Sequence, residues 1–461
     1  MSILAGYMVP HPPMIVPAVG KGSEAQISET SLAYERVAEE IAALAPDTII
    51  ITSPHSVMYA DYFHISPGRG AKGSFRQFRA PEIAFSERYD RELTDLLCAL
   101  AEAEKLPAGT LGERDPALDH GTMVPLWFLR NKYAGGKLVR IGLSGLPLTE
   151  HYRLGQLLAR AVEALGRRAV LIASGDLSHK LQSYGPYGFA AEGPEYDRRI
   201  MEVCGRAAFG EFFDFDEHFC EKAAECGHRS FVILAGAFDG LRVRARVLSH
   251  QDVTGVGYGI CTFHPEGPDP DRHFLEKYRE RSERECREKA ERSDPWVRLA
   301  RAAVEAWVLR RERLSVPEGL PPELTKRRAG AFVSLHRNGR LRGCIGTILA
   351  TCGSVAEEIL QNAVSACARD PRFPPVEPEE LAGLEISVDV LGTPEPIESP
   401  EELDVKRYGV IVSCGGKRGL LLPKLEGVDS VAEQLRIARQ KGGIGENEPY
   451  TLERFEVVRH F

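Results

Sequence analysis

Short apolar runs alternate with longer amphipathic segments through the first 265 residues of the chain. Most of these runs are continuously apolar, which is typical of strands that helices cover on both faces. They predict strands at residues 3–8, 48–52, 139–143, 169–173 and 243–248. The last run alternates with arginine, as an edge or half-exposed strand does. Helical spacing predicts helices over residues 28–44, 89–103, 150–165, 195–208 and 221–238. This order of elements predicts an α/β unit with a mostly parallel sheet.

The pattern changes after residue 295, where hairpins replace the alternation of strands and helices. Strand-like runs at 331–336 and 341–347 flank Asn338-Gly339, a strong signal for a two-residue turn. Residues 408–413 and 419–423 flank a glycine-containing turn and predict a second hairpin. Helices are predicted over 354–369 and 431–440, and further strands over 384–391 and 455–460. Hairpins with interspersed helices predict an α+β fold.

A charged segment separates the two parts. Residues 271–293 are rich in Arg, Glu and Lys and predict an exposed connecting helix. We therefore expect an N-terminal domain at 1–268, a charged helical linker at 269–294 and a C-terminal domain at 295–461. A chain of 461 residues suits two or three domains of ordinary size.

Composition argues against several classes of protein. Lys plus Arg is 58 and Asp plus Glu is 66, and the net charge of -8 argues against nucleic-acid binding. No apolar run reaches the roughly 18 residues of a membrane span, and the first residues lack the pattern of a signal peptide. Ten cysteines without a C-x-x-C pair indicate reduced thiols, so we expect a cytoplasmic protein. The sequence leaves the oligomeric state open, a homo-oligomer included.

Three histidines follow predicted strands. His11, His55 and His179 come after the strands at 3–8, 48–52 and 169–173. In an open α/β sheet, ligand sites form outside the carboxyl ends of the strands, so these side chains are expected to converge. Two histidines and one carboxylate suit non-haem Fe(II). The best carboxylate is Glu225. Adjacent residues of a helix point about 100° apart, so Glu225 and its neighbour Cys226 are not expected to bind one ion together.

These motifs resemble the class III extradiol dioxygenases, which have the LigB-type fold. The resemblance covers residues 1–265 and rests on five features in order, namely His11, His55, Asp119-His120-Gly121, His179 and Glu225. It implies that His11, His55 and Glu225 bind Fe(II). It also implies that His179 acts as general base and then acid, with assistance from His120. The implied reaction is oxidative ring cleavage of a catechol-type aromatic diol, with both atoms of O2 incorporated.

The Memo-like proteins share this fold but have a His, His, Cys metal site. With Cys226 in place of Glu225, a thiolate would favour a softer metal such as copper over Fe(II), and other divalent metals stay open. That alternative implies a metal-binding accessory or redox component of a radical-SAM-associated system, without dioxygenase activity. A third interpretation leaves Cys226 as a small buried apolar side chain.

The second part of the chain resembles the AMMECR domain. The resemblance covers residues 295–461 and rests on Leu341-Arg342-Gly343-Cys344-Ile345-Gly346. The activity of that family is unsettled, so the match implies a fold more than a chemistry. The fusion of both domain types resembles the AmmeMemoRadiSam system, which implies a radical-SAM protein as partner. This chain lacks a C-x-x-x-C-x-x-C cluster motif, so radical chemistry would lie on another chain.

Cys344 is the candidate nucleophile of the second domain, with a purely structural role as the alternative. A two-residue turn pairs His336 with Leu341, and strict alternation then puts Cys344 on the face opposite His336. His336 is therefore not expected to act as its base. Arg342 is expected on the strand face of Cys344, where its charge would favour a thiolate.

Overall fold

A computed structural model of the chain describes residues 3–112, 117–425, 427–445 and 447–461. The protein divides into two compact units, Met1–Tyr278 and Arg279–Phe461. The boundary falls within a long charged helix, Phe274–Arg292, inside the segment predicted as linker. Among the described residues, no helix combines the length and apolarity that crossing a membrane requires.

The first unit alternates strands and helices. Its strands are β1 (Ile3–Val9), β2 (Thr48–Ser53), β3 (Phe63–His64), β4 (Gly70–Phe75), β5 (Ala80–Arg88), β6 (Ala108–Gly109), β7 (Lys137–Gly142), β8 (Ala169–Ser174), β9 (Leu241–Gln251) and β10 (Tyr258–Pro268). Its helices are α1 (Pro17–Gly20), α2 (Ser28–Leu44), α3 (Arg91–Ala103), α4 (His120–Arg130), α5 (Leu148–Ala164), α6 (Glu192–Arg206), α7 (Glu217–Ala223) and α8 (His228–Ala237), and α9 (Phe274–Arg292) crosses the boundary.

The central sheet has the strand order β7-β2-β8-β1-β10-β9. Strands β7, β2, β8 and β1 pair in parallel, whereas β10 and β9 add antiparallel pairs on one side. The predicted α/β unit with a mostly parallel sheet is confirmed in the form of a mixed sheet. Strand β9 lies at the edge, as its alternation with arginine predicted.

Helices cover both faces of this sheet. Along β1, Ile3 and Met8 pack into the core that contains residues of α3, α5, α6 and α8. Tyr7 and Val9 point to the opposite face, into the core that contains residues of α2 and α4. Each central strand thus contributes to two cores, which explains why its sequence is apolar without alternation.

The predicted helix over residues 221–238 is wrong. Two helices form there, and Ala224 between them adopts a left-handed conformation with a φ of 53°. Gly227 lies against the end of β8, where an added side chain would stand 2.9 Å from the Cα of Gly175. Glu225 and Cys226 consequently lie in a loop that reaches the carboxyl end of the sheet.

The second unit is an antiparallel sheet with helices, so the predicted α+β fold is confirmed. Its strands are β11 (Ala331–Arg337), β12 (Arg340–Gly346), β13 (Leu384–Leu391), β14 (Glu395–Ile397), β15 (Tyr408–Cys414), β16 (Lys417–Leu421) and β17 (Thr451–His460). Its helices are α10 (Pro295–Arg310), α11 (Pro322–Thr325), α12 (Val355–Ala368) and α13 (Val431–Lys441). The strand order is β12-β11-β13-β17-β15-β16, and β14 also pairs with β17.

A β-bulge changes the expected face of Cys344. His336 pairs with Leu341 as predicted, but the register then shifts by one residue, and Ser334 pairs with Cys344. Residues two apart on a strand share a face, so Cys344 lies on the face of Ser334 and His336. The predicted opposite face is wrong, because strict alternation leaves no place for the extra residue.

Candidate metal centre

Loops after three adjacent parallel strands form the site in the first unit. His11 follows β1, His55 follows β2, and Asp176 follows β8, which pairs with both other strands. The carboxyl ends of parallel strands meet at one edge of the sheet. The structure therefore brings together residues that are far apart in the sequence.

A chain of hydrogen bonds fixes the ring of His11, which is only 2 % exposed. The Ser174 hydroxyl donates to the Gly121 carbonyl over 2.6 Å, which uses its single hydrogen. The Ser174 oxygen therefore accepts from His11 Nδ1–H, 3.0 Å away. In the neutral imidazole this leaves the lone pair on Nε2, which faces the site.

Side chains of His11, His55 and Cys226 each present one ligand atom, and the three atoms lie within 4.8 Å of one another. His11 Nε2 is 3.0 Å from His55 Nε2 and 3.7 Å from Cys226 Sγ. Metal bonds of about 2.0–2.1 Å to nitrogen and about 2.3 Å to sulfur span such separations at angles of roughly 90° and 115°. The donor set therefore fits one metal ion, and imidazole with thiolate suits zinc, copper or iron.

Glu225 does not join this group. Its carboxylate accepts a hydrogen bond of 2.6 Å from the backbone N–H of His228, at the start of α8. It also lines a separate small cavity with Phe215 and Arg229. Contrary to the expectation for Glu225, the structure therefore groups Cys226 with the two histidines, because the two neighbours point to different sides of a loop.

Cys226 is a neutral thiol before a metal binds. The backbone N–H of Asp176 donates to its Sγ over 3.3 Å. Burial raises the pKa of the Cys226 thiol well above its ordinary value, and the charges of Asp176 and Glu225 act in the same direction. A thiolate ligand must lose its proton, so metal binding at this site is coupled to release of that proton.

Three histidines of the site, His11, His55 and His120, are uncharged at neutral pH. Partial removal of its ring from water lowers the pKa of His55 to about 4, and the charge of His11 adds to the effect. Burial also lowers the pKa of His120 to about 4. The pKa of His11 falls as well, because burial outweighs the opposing charge of Asp176. Neutral imidazoles have the lone pair that a metal requires.

Asp176 is a site residue that the sequence analysis missed. It accepts the backbone N–H of His11 over 2.7 Å through Oδ1. Its Oδ2 lies 4.0 Å from His11 Nε2 and 3.9 Å from His179 Nε2, so the carboxylate stands between the two rings. An aspartate three residues before a strand-end histidine was the signal that could have found it.

His179 lies at the outer side of Asp176 and is the titratable histidine of the site. Burial opposes its protonation, but the attraction of the nearby Asp176 carboxylate outweighs burial and raises the pKa of His179. The ring of Tyr187, which is well exposed, lies 5.1 Å from the ring of His179. His179 thus lies between the Asp176 carboxylate and the surface.

His120 begins α4 beside His55, with ring centroids 4.0 Å apart. Asp119 caps this helix and accepts a hydrogen bond of 2.6 Å from the Ser53 hydroxyl at the end of β2. Arg140 forms an ion pair with Asp119 at 3.5 Å. These contacts tie the start of α4, and with it His120, to the strand that precedes His55.

Models of two protein families match the chain. The one described as the catalytic LigB subunit of aromatic ring-opening dioxygenase covers residues 5–261, and the AMMECR1 model covers residues 297–460. The chain belongs to the LigB family. Its AMMECR1 domain follows in the same chain, so both resemblances are confirmed. We refer below to the LigB unit and the AMMECR1 unit.

Three proteins are similar to all or part of this chain, and their names state no reaction. A Clostridium acetobutylicum protein is 40% identical over 469 residues, which covers 100% of this chain and 99% of its own. A Thermotoga maritima protein is 51% identical over 168 residues, which is 36% of this chain and 97% of its own. A crystal structure of an uncharacterized Pyrococcus horikoshii protein is 34% identical, with a TM-score of 0.34, and covers 36% of this chain and 88% of its own. The first relative matches the whole two-domain chain.

In the AMMECR1 unit, Cys344 lies on the edge strand β12. The expected role of Arg342 beside it is corrected. The Arg342 guanidinium donates to both carboxylate oxygens of Glu380, at 2.8 and 2.9 Å, and to the Pro374 carbonyl. Arg342 thereby connects β12 to the segment that contains Pro374 and Glu380.

Proposed function

We propose that the LigB unit holds one metal ion on His11, His55 and Cys226 and serves as a metal-binding redox component. The observation that carries the proposal is the group of three ligand atoms within 4.8 Å of one another. A thiolate in the ligand set favours a soft or borderline metal such as copper. It departs from the set of two histidines and one carboxylate that suits ferrous iron in oxygen chemistry.

The residues of this site would hold the metal and control the protons around it. A bound copper ion would supply electron transfer. Ser174 keeps the lone pair of His11 on Nε2, and Cys226 gives up its proton on ligation. Above its own pKa, His179 is able to take up that proton because Asp176 stabilises its charged form; below it, His179 is already protonated and the proton goes to solvent.

Extradiol ring cleavage of a catechol-type aromatic is the second candidate function. The LigB match favours it, together with the two further histidines at the site. Bound ferrous iron would supply oxygen activation. His179 is the group suited to accept a proton from a diol hydroxyl and to return it later. His120, with a pKa of about 4, stays neutral and exchanges hydrogen bonds only.

Metal reconstitution separates the two functions. The full chain is loaded with Fe(II) or Cu(I) without O2, excess metal is removed, and O2 uptake is followed over a panel of catechols, with His179→Ala alongside. Uptake that yields a ring-opened product and is lost in His179→Ala would establish ring cleavage. One bound ion without uptake on any diol would support the redox component. Metal retention that is unchanged in His11→Ala and Cys226→Ala would refute both.

We also propose a radical-SAM protein as the partner of this chain. The proposal rests on the fusion of the LigB and AMMECR1 domains. Anaerobic co-purification of the full chain with radical-SAM proteins of its own cell would test it. A stoichiometric complex supports the partnership, and absence of such a protein at native expression levels contradicts it.

A further inference from the structure

We propose that the AMMECR1 unit carries a second reactive site, in which the Cys344 thiol attacks small organic anions held by Arg372 and Arg459. Four segments contribute to it: β11, β12, the loop after α12, and β17. The ligand class is a carboxylate or phosphate that bears an electrophilic carbon. All of these residues belong to the second unit, whereas the candidate metal ligands belong to the first.

Packing explains the glycines around Cys344 but not the thiol itself. A side chain at Gly343 would stand 2.3 Å from the carbonyl oxygen of Ala366 in α12. A side chain at Gly346 would stand 2.2 Å from the ring of Phe332. Cys344, in contrast, is only partly buried and lies on the face of the sheet away from the apolar core. Chemistry is therefore the better reason for sulfur at this position.

A hydroxyl lies directly beside the sulfur. Ser334, the cross-strand partner of Cys344, donates a hydrogen bond to Sγ over 3.2 Å. The reactive form of a cysteine is the thiolate, which accepts such a hydrogen bond. The β-bulge in this hairpin is what places the two side chains on one face.

Asp370 holds Arg372 against Cys344. The Asp370 carboxylate is buried and accepts the backbone N–H of Cys344 and Nε–H of Arg372, each over 2.9 Å. Arg372 donates to the Cys344 carbonyl over 3.0 Å. Its side chain is still 53 % exposed, so the guanidinium presents charge to solvent beside Cys344.

A second guanidinium is anchored in the same way. Arg459 on β17 donates to both oxygens of the buried Asp389, over 2.7 and 2.9 Å. The side chain of Arg459 is 35 % exposed, and the register of the four strands puts it on the sheet face of Cys344. The carboxylates of Asp370 and Asp389 are both buried, whereas the guanidiniums of Arg372 and Arg459 both reach solvent. Arginine forks in this arrangement recognise carboxylate and phosphate groups.

The chemistry that follows is substitution at carbon. Cys344 Sγ forms a bond to the electrophilic carbon of the bound anion, while the bond from that carbon to its leaving group breaks. The leaving group departs with the electron pair, and the thiol proton goes to solvent. The two guanidiniums hold the anionic end and do not change in the step.

Alkylation with a matched pair of reagents tests the site in the full chain. Iodoacetate is an anion, iodoacetamide is its neutral analogue, and peptide mass spectrometry gives both rates at Cys344 at one pH. The ratio of the two rates is compared with that of an unstructured cysteine peptide. A unit charge a few ångströms away in a water-like dielectric favours an anion by about threefold, so two charges predict a ratio raised about tenfold.

Variants test whether the arginines cause the preference of Cys344 for the anionic reagent. Arg372→Gln should reduce the raised ratio to about threefold, Arg372→Lys should keep most of it, and Ser334→Ala should slow both reagents alike. Alkylation of Cys414 in the same unit should stay unchanged, which shows that the fold is intact. A ratio equal to that of the free peptide, an unreactive Cys344, or a ratio insensitive to Arg372→Gln would overturn the proposal.

Discussion

Binding of a metal by the LigB unit should release one proton per ion, and that proton should come from Cys226. The perturbation that tests this is Cys226→Ser, with its neighbour Glu225→Gln as the matched control. Both changes remove a group with a raised pKa from the same loop. The structure places the first beside His11 Nε2 and the second at the start of α8.

The size of the effect follows from the protonation states. With a pKa of about 4, His55 carries a proton in only about 1% of molecules at pH 6, and burial lowers the pKa of His11 too. The Cys226 thiol keeps its proton because its pKa is raised. Ligation needs the deprotonated sulfur, so affinity rises with pH. One proton corresponds to a tenfold change in Kd, about 1.4 kcal/mol, per pH unit.

Zinc is a suitable probe because it has no redox chemistry. Its Kd is measured by chelator competition between about pH 5.5 and about 6.5, below the range near 7 in which zinc-bound water ionises. Cys226→Ser should weaken binding by more than about 100-fold and lose the pH slope, since even indirect contacts to a ligand are worth about 10–100-fold. Glu225→Gln should keep the slope. A flat profile in the unmodified protein, or a slope lost only in Glu225→Gln, would refute the assignment.

Three further predictions concern the two units. Ser174→Ala should weaken zinc binding by about 10–100-fold, because His11 loses the acceptor that orients its ring; a Kd unchanged in chelator competition would contradict this. Zinc at about 100 times its Kd should raise the free energy of unfolding of the LigB unit by about 2.7 kcal/mol in urea titrations, and His11→Ala should abolish the gain. Gly343→Ala should lower the free energy of unfolding of the AMMECR1 unit by about 1–3 kcal/mol, because its new methyl would meet the Ala366 carbonyl. Gly416→Ala, in open space, is the control, and equal losses in both variants would disprove the clash.

The approach of His11 and His55 could be expected from the sequence because it needs only short-range information. Each residue follows an apolar run, and parallel strands place their carboxyl ends at one edge. The third ligand could not be assigned in the same way. The choice between Glu225 and Cys226 depends on the break between α7 and α8, where Gly227 meets Gly175, the residue after β8. That contact joins residues 52 apart in the sequence, and helical spacing carries no sign of it.

The hairpin of the AMMECR1 unit likewise has one feature that local sequence predicts and one that depends on distant contacts. The turn at Asn338-Gly339 forms as predicted because both residues accept positive φ, 52° and 75°. The β-bulge after the turn was not predicted, since the prediction assumed that side chains alternate strictly between the two faces of each strand. It coincides with contacts that are distant in sequence, such as the hydrogen bond from Cys344 to Asp370. The reactive face was therefore misplaced although the strands were correct.

Strand β10 was missed for a related reason. Gly259 weakens the β-strand signal of its segment, yet a side chain there would stand 2.7 Å from the sulfur of Met201 and 3.0 Å from Leu177. The glycine is needed for packing against a helix, and the sequence shows only its low strand propensity. In both units, a single sequence thus does not show where a strand and a neighbouring element pack closely.

The thiol in the proposed ligand set also determines how the activity of the LigB unit has to be measured. Cysteine sulfur beside a redox metal is itself open to oxidation by O2-derived species. Oxygen uptake alone would therefore count oxidation of Cys226 together with any substrate turnover. Ring cleavage is established only by the ring-opened product, with the mass of the Cys226 peptide unchanged over many turnovers. Uptake that stops near one equivalent, with added oxygen on that peptide, would instead mark a site whose thiolate is consumed, and ring cleavage would then be excluded as its function.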